Sequence, residues 1–139
     1  MSEVRVPYKV DDRHFEGMIV YDDTVQRKRP VVFMQPDWKG VCADTIAQAH
    51  AVAGVDYVVL MADMFGAGYG SAPRTREQLA AGMKAVHDDL VFTLSCGSRA
   101  YEALIAASAK LGLIDATGLR FEHDTHRRVL ARLVAHCIE

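Results

Sequence analysis

The sequence predicts an α/β fold whose mostly parallel sheet is covered by helices on both faces. Two largely apolar runs, PVVFM at residues 30–34 and VDYVVLMAD at 55–63, indicate strands that are buried on both sides. The segment ADTIAQAHAVA at 43–53 lies between them, is predicted to be helical, and precedes Gly54, a residue typical of helix C-termini. The order strand, helix, strand predicts a parallel βαβ unit.

An antiparallel hairpin is predicted before this unit. Residues 3–10, EVRVPYKV, alternate between polar and apolar side chains, which is the period of a half-buried strand. Residues 15–21, FEGMIVY, are the second strand, and Gly17 within it indicates a bulge or a close backbone approach. A hairpin followed by alternating strands and helices places the chain in the α/β class.

Helical segments are predicted after a glycine-rich loop at residues 64–73, MFGAGYGSAP. Thr75 with Gln78 three residues later forms a capping-box pattern, which starts a helix. Helical spacing continues to about Gly112, with a break predicted at Cys96-Gly97. A short strand at 119–123, LRFEH, and a closing helix at 124–139 complete the prediction.

The length, charge and cysteine content of the chain narrow the range of functions and partners that we expect. The 139 residues predict a single domain, 1–139, and the formal net charge of −2 gives no reason to expect nucleic acid or an anionic membrane as a partner. The charged N-terminus has no signal-peptide pattern, so a cytoplasmic location is expected. Three cysteines, Cys42, Cys96 and Cys137, have the spacing of neither a disulfide framework nor a zinc site. We therefore expect no metal and no cofactor.

Acidic and aromatic residues follow both buried strands. Asp37 and Trp38 come after the strand at 31–34, and Asp63 and Phe65 come at the end of the strand at 55–63. In parallel sheets, ligands bind beyond the carboxyl ends of the strands. These four residues are therefore the candidate site.

Three motifs in the same order resemble a known family. The strings FEGMIVYDD, RPVVFMQPDWKGV and DYVVLMADMFGAGYG are similar to the N-terminal half of the dienelactone hydrolase family, over about residues 8–116. The resemblance implies an incomplete α/β-hydrolase-like sheet and hydrolysis of carboxylic esters or lactones by a Cys (or Ser), Asp and His triad. It implies that Asp37 is the acid beside the nucleophile and that the Trp38 backbone N–H completes the oxyanion hole. Asp63 and Phe65, at the end of the second buried strand, are the candidate substrate-binding residues.

The family's nucleophile motif is missing. Neither G-x-C-x-G nor G-x-S-x-G occurs, and the tail at 118–139 departs from the family pattern. We therefore expect a truncated, frame-shifted or half-domain hydrolase that is impaired or inactive. Cys42, after the Trp38 loop, and His123, near the triad's usual C-terminal place, are the substitute catalytic candidates. Cys96 lies within helical periodicity and is interpreted as structural.

Structural roles compete with these functional ones. Asp37 can cap a turn, Asp63 can accept loop amides, and Trp38 can pack in the core. The Gly66–Gly70 stretch lacks the spacing of a dinucleotide fingerprint. The second functional hypothesis is a non-catalytic remnant domain that forms homo-oligomers through an open sheet edge and binds a small ligand.

Overall fold

The computed structural model describes residues 1–116, which form a partial α/β fold: a four-stranded mixed sheet with helices. The strands are β1 (Ser2–Val10), β2 (Arg13–Tyr21), β3 (Val31–Met34) and β4 (Val58–Met61). The helices are α1 (Ala43–Ala53), α2 (Arg76–Asp88) and α3 (Leu90–Lys110), with a 3₁₀ turn at Tyr69–Ser71. The strand order across the sheet is β1-β2-β4-β3.

β1 and β2 form an antiparallel hairpin in which Val10 pairs with Arg13. The two-residue turn between them contains Asp11 in the left-handed region, at φ 52°. A side chain at Gly17 of β2 would place its Cβ 2.8 Å from the carbonyl oxygen of Met61. The predicted close backbone approach at this glycine is therefore confirmed, and it lets β2 lie against β4.

β3, α1 and β4 form one parallel crossover unit. Val31 pairs with Val58, and α1 ends at Gly54, whose φ of 46° favours glycine. All four residues of β4 are fully buried, because helices cover both faces of the sheet. One core cluster lies under α3 and contains Leu60 and Leu104, and the other lies under α1 and contains Val59.

The sheet differs from the prediction in two ways. It is mixed rather than mostly parallel, because β2 of the hairpin pairs antiparallel with β4. The run at 31–34 was expected to be a strand buried on both sides, but β3 is the last strand of the described sheet and none of its residues is fully buried. β3 is apolar on both faces because α1 covers one face and α3 covers the other. Among residues 1–116, it has a strand neighbour on one edge only.

The helical region is divided at a different residue from the one predicted. The capping box of Thr75 and Gln78 does start α2, but α2 ends at Asp88 and α3 runs unbroken through Cys96 and Gly97. Asp89 causes the division, since its Oδ1 accepts the Phe92 N–H at 3.0 Å and caps α3. A single interior glycine costs about 1 kcal/mol relative to alanine, which a 21-residue helix tolerates.

The predicted strand at 119–123, the closing helix at 124–139 and the tail at 118–139 lie outside the described residues. Within residues 1–116, no helix has the length and apolar character needed to cross a bilayer.

Candidate functional site

Two loops meet at the carboxyl ends of the parallel strands β3 and β4. The first loop, residues 35–42, carries Asp37 and Trp38, and the second, residues 62–71, carries Asp63 and Phe65. The loops are joined directly, because the Tyr69 hydroxyl donates to the Trp38 carbonyl oxygen at 3.2 Å. The structure therefore brings into contact the two loops that carry Asp37, Trp38, Asp63 and Phe65, and the first loop also ends in Cys42, the fifth site residue predicted within residues 1–116.

Asp37 stabilises the turn that leaves β3. Its Oδ1 accepts the Lys39 N–H at 2.9 Å, and its carbonyl oxygen accepts the Gly40 N–H at 2.9 Å. The Asp37 side chain is also exposed to solvent. Turn capping is thus one function of this carboxylate, and its assignment as the acid beside a nucleophile stays a prediction.

The turn is closed by an aromatic contact with the second loop. Gly40 has a φ of +71°, and a Cβ at this position would lie 2.9 Å from the Tyr69 ring. Trp38 next to it is half-buried. The Trp38 carbonyl is fixed by Tyr69, whereas the proposed oxyanion function of its N–H stays a prediction.

Asp63 is buried, with 2% of its surface exposed, and its carboxylate holds the second loop to the hairpin. Its Oδ2 accepts the Glu16 N–H at 2.9 Å, and its Oδ1 accepts the N–H groups of Phe65 and Gly66, each at 3.0 Å. Three amide donors explain why this carboxylate can be buried without a cationic partner among residues 1–116.

The backbone of Asp63 is held by Tyr8 from β1. The Tyr8 hydroxyl donates to the Asp63 carbonyl oxygen at 2.6 Å and accepts the Asp63 N–H at 3.0 Å. Burial raises the pKa of the Tyr8 hydroxyl, so it stays protonated and keeps both bonds over the ordinary pH range. Asp63 therefore has a structural function, and the sequence-predicted substrate-binding role of Asp63 and Phe65 remains a prediction.

Tyr69 is a residue of the site that was not predicted from the sequence. Its ring stacks on Phe65 with the centroids 4.5 Å apart, and the Arg74 guanidinium lies over the ring at 3.9 Å. Arg74 Nε also donates to the Tyr69 carbonyl oxygen at 2.8 Å. A lone aromatic residue between glycines, followed by an arginine, was the available signal, because glycines let the backbone approach a large ring closely.

Two surface cavities adjoin these loops. One, of about 400 Å³, is lined by Lys39, Cys42, Ser71, Arg74 and Leu79 among others. The second, of about 340 Å³, includes Cys42, Asp63 and Tyr69 in its wall. Cys42 belongs to both cavities, at the N-cap of α1, and its N–H donates to Thr45 Oγ1 at 2.9 Å.

The two described cysteines differ sharply in their surroundings. Cys42 is half-exposed, whereas Cys96 is buried inside α3 with 1% of its surface exposed. Burial raises the pKa of the Cys96 thiol to about 11, which disfavours the nucleophilic thiolate at neutral pH. Cys96 also sits in the middle of a helix rather than on a strand-to-helix turn, so it is a core residue, although the helix break expected beside it is absent.

We expect iodoacetamide at pH 8 to alkylate Cys42 much faster than Cys96 in the folded protein. The thiolate population of Cys96 is depressed by its pKa of about 11, and the side chain is closed to the reagent. Peptide mass spectrometry over time measures the two rates separately, and a sample in denaturant shows full labelling of both. Equal rates in the folded protein would contradict this assignment.

Three further sequence predictions concern a dinucleotide site, a metal site and His123. The glycine-rich loop leads into a 3₁₀ turn and not into an α-helix, so it lacks the phosphate-binding helix terminus of a dinucleotide site. Among residues 1–116, no group of three or more His, Cys, Asp or Glu side chains is arranged to hold a metal ion. His123, the catalytic candidate in the tail, lies outside the described residues.

Comparison with solved structures supports the dienelactone hydrolase resemblance. A structure described as "m3DLH" is 25% identical with a TM-score of 0.65, and 76% of this chain aligns with 43% of that one. A dienelactone hydrolase-like promiscuous phosphotriesterase from metagenomic libraries is 20% identical with a TM-score of 0.68, covering 82% of this chain and 45% of its own. The chain thus spans less than half the length of either structure. No protein-family model matches it, and no curated protein sequence does.

Proposed function

We propose that this chain is a dienelactone hydrolase-like domain whose two site loops form one wall of a pocket for a carboxylic ester or lactone. The observation that carries the proposal is the hydrogen bond from the Tyr69 hydroxyl to the Trp38 carbonyl oxygen. This bond joins the loops that follow β3 and β4, at the carboxyl ends of the strands, where α/β sheets bind ligands. The resemblance to hydrolase-like solved structures supplies the reaction class.

We expect residues 1–116 to bind the substrate and polarise its carbonyl group. They do not supply an efficient nucleophile to attack that group. Cys42 supplies the thiol in the walls of both cavities. Among residues 1–116, no histidine lines either cavity, so the thiol has no histidine there to act as its base. A nucleophile without a paired base is weakly activated. When a triad is lost, about 10³–10⁴-fold catalysis over water remains from the oxyanion hole and binding.

We therefore expect little turnover of 4-nitrophenyl acetate by this chain. Whatever turnover there is should fall when Cys42 is replaced by alanine and should be unchanged in the Cys96→Ala variant, which serves as the matched control. Release of 4-nitrophenolate, followed by its absorbance, measures the rate. Rapid turnover that survives both substitutions would contradict both the impaired mechanism and the cysteine assignment.

Pocket binding is tested separately from turnover. Titration of the isotope-labelled protein with γ-valerolactone, a stable lactone, should shift the backbone amide resonances of residues 35–42 and 62–71. An absence of shifts in both loops at saturating lactone would overturn the pocket proposal, whatever the ester assay shows.

A second candidate function is non-catalytic association through the sheet edge. It is favoured by the position of β3, whose outer side has no strand neighbour among residues 1–116. In this alternative, the domain assembles with a partner and the pocket serves binding alone.

A further inference from the structure

The Tyr69 side chain is confined between the first site loop and α2 by two glycines. A Cβ added at Gly40 of the first loop would lie 2.9 Å from Tyr69 Cδ1, and a Cβ added at Gly82 of α2 would lie 2.4 Å from the Tyr69 hydroxyl oxygen. Both distances are too short for a side chain, so glycine at each position leaves the room that the tyrosine occupies. Stacking on Phe65 and the Arg74 guanidinium restrains the ring further.

The Tyr69 hydroxyl completes the hydrogen bonding of one peptide group in the turn at residues 37–40. It donates to the Trp38 carbonyl oxygen at 3.2 Å, and the Lys39 N–H of the same peptide donates to Asp37 Oδ1 at 2.9 Å. The preceding peptide carries the Trp38 N–H, and it is fixed by the bond from the Gly40 N–H to the Asp37 carbonyl oxygen at 2.9 Å. Of these three bonds, the one from Tyr69 reaches the turn from outside.

These bonds determine the direction of the Trp38 N–H. Residues 1–116 contain no cis peptide bond, and in a trans peptide the N–H and C=O groups point in opposite directions. Because the Asp37 carbonyl points into the turn at Gly40, the Trp38 N–H points out of the turn. No group of residues 1–116 accepts a hydrogen bond from this N–H. The donor is therefore oriented toward an acceptor from outside the turn.

We propose that Tyr69 is a positioning residue that couples α2 to the Trp38 N–H, the candidate oxyanion donor. The hydroxyl holds the Trp38 carbonyl, and Gly82 of α2 leaves the space that the hydroxyl needs. A shift of α2 toward the ring would displace the hydroxyl and release the turn, so the position of α2 regulates how firmly the donor is held. The inference rests on the proposed function, because it assigns a regulating element to that same pocket.

Amide hydrogen exchange, measured by NMR on the full chain, tests the hydroxyl without any ligand. Tyr69→Phe keeps the ring but removes the bond to the turn, so exchange of the Lys39 and Gly40 amides should become about fivefold faster. Tyr57→Phe is the matched control, because this ring is 42% exposed and lies outside both site loops, and it should leave both rates unchanged. Unchanged rates in Tyr69→Phe would overturn the proposal.

A substitution on α2 tests the coupling. Gly82→Ala pushes against the hydroxyl and should accelerate exchange of the same two amides about fivefold, whereas Gly97→Ala in α3 should not affect them. In the Tyr69→Phe background the nearest remaining ring atom, Cζ, is 3.1 Å from the added Cβ, so Gly82→Ala should add little. Additive accelerations from the two substitutions would overturn the coupling.

The lactone titration separates positioning from a purely structural function. In the wild type, γ-valerolactone should shift the Trp38 amide resonance. In Tyr69→Phe with native circular dichroism, this shift should shrink and the lactone Kd should rise about fivefold. A Kd and a Trp38 shift equal to those of the wild type would overturn the positioning function. An absence of lactone shifts in the wild type overturns the pocket instead, and amide exchange still decides the function of Tyr69, so the two failures are distinguishable.

Discussion

Replacing Asp63 by alanine is expected to lower the free energy of unfolding by about 4 kcal/mol. The carboxylate accepts three backbone N–H groups, from Glu16, Phe65 and Gly66, and is 2% exposed. Alanine would leave these donors without an acceptor inside the protein, at a cost of about 1–3 kcal/mol for each buried group that water does not reach. Urea unfolding followed by circular dichroism measures the change.

Two controls separate the hydrogen bonds from charge. Asp63→Asn keeps one oxygen for Phe65 and Gly66 but turns an NH₂ group toward the Glu16 N–H, so we expect an intermediate loss of about 2 kcal/mol. Asp56→Ala removes an exposed carboxylate bonded to Arg27, and should change stability by less than about 1 kcal/mol. If Asp63→Ala were as mild as Asp56→Ala, the structural function of Asp63 would be excluded.

Replacing Gly70 by alanine should destabilise the protein by about 2–3 kcal/mol. An added Cβ would lie 2.1 Å from the Val41 carbonyl oxygen and 2.6 Å from the Val41 carbonyl carbon. Both neighbours are backbone atoms directly before Cys42 at the start of α1, so neither moves away as a side chain would. The clash would force the two site loops apart, which thermal unfolding and lactone titration should both register.

Gly97 provides the matched control for this substitution. It lies within α3, and no atom of residues 1–116 lies within 4 Å of a Cβ added there. Gly97→Ala should therefore raise stability by about 0.5–1 kcal/mol, because alanine has the higher helix propensity. The same chemical change is thus expected to have opposite signs at the two positions, and a shared sign would contradict the packing described for Gly70.

Local signals in the sequence predicted much of the fold. The alternation in β1, the capping box of Thr75 and the glycine after α1 each act within a few residues, so each was readable from its neighbours. The place of β3 in the sheet was not readable, because an apolar strand looks the same whether helices cover its faces at the centre of a sheet or at its edge. The division at Asp89 was missed because a helix-capping aspartate differs little in sequence from one on a helix surface.

The meeting of the two loops after β3 and β4 could be predicted from the sequence, but the bonds within and between them could not. Asp37, Trp38, Asp63 and Phe65 follow strand ends, and strand ends in parallel units converge by geometry. The functions of Tyr8 and Tyr69 depend on contacts across 55 and 31 residues, which no local pattern encodes. The sequence separated Cys96 from Cys42 through the helical periodicity around Cys96, and the burial of Cys96, with 1% of its surface exposed, agrees with its interpretation as structural.

The pair of hydrogen bonds between Tyr8 and Asp63 makes the N-terminal strand part of the site's support. The loop after β4 is held in place by Tyr8 of β1, so the final form of this loop depends on the hairpin. A deletion that removes Tyr8 with β1 is therefore expected to release the backbone of Asp63. A change that loosens β1 should disturb the loop that carries Phe65 and Tyr69, because this loop follows directly from Asp63.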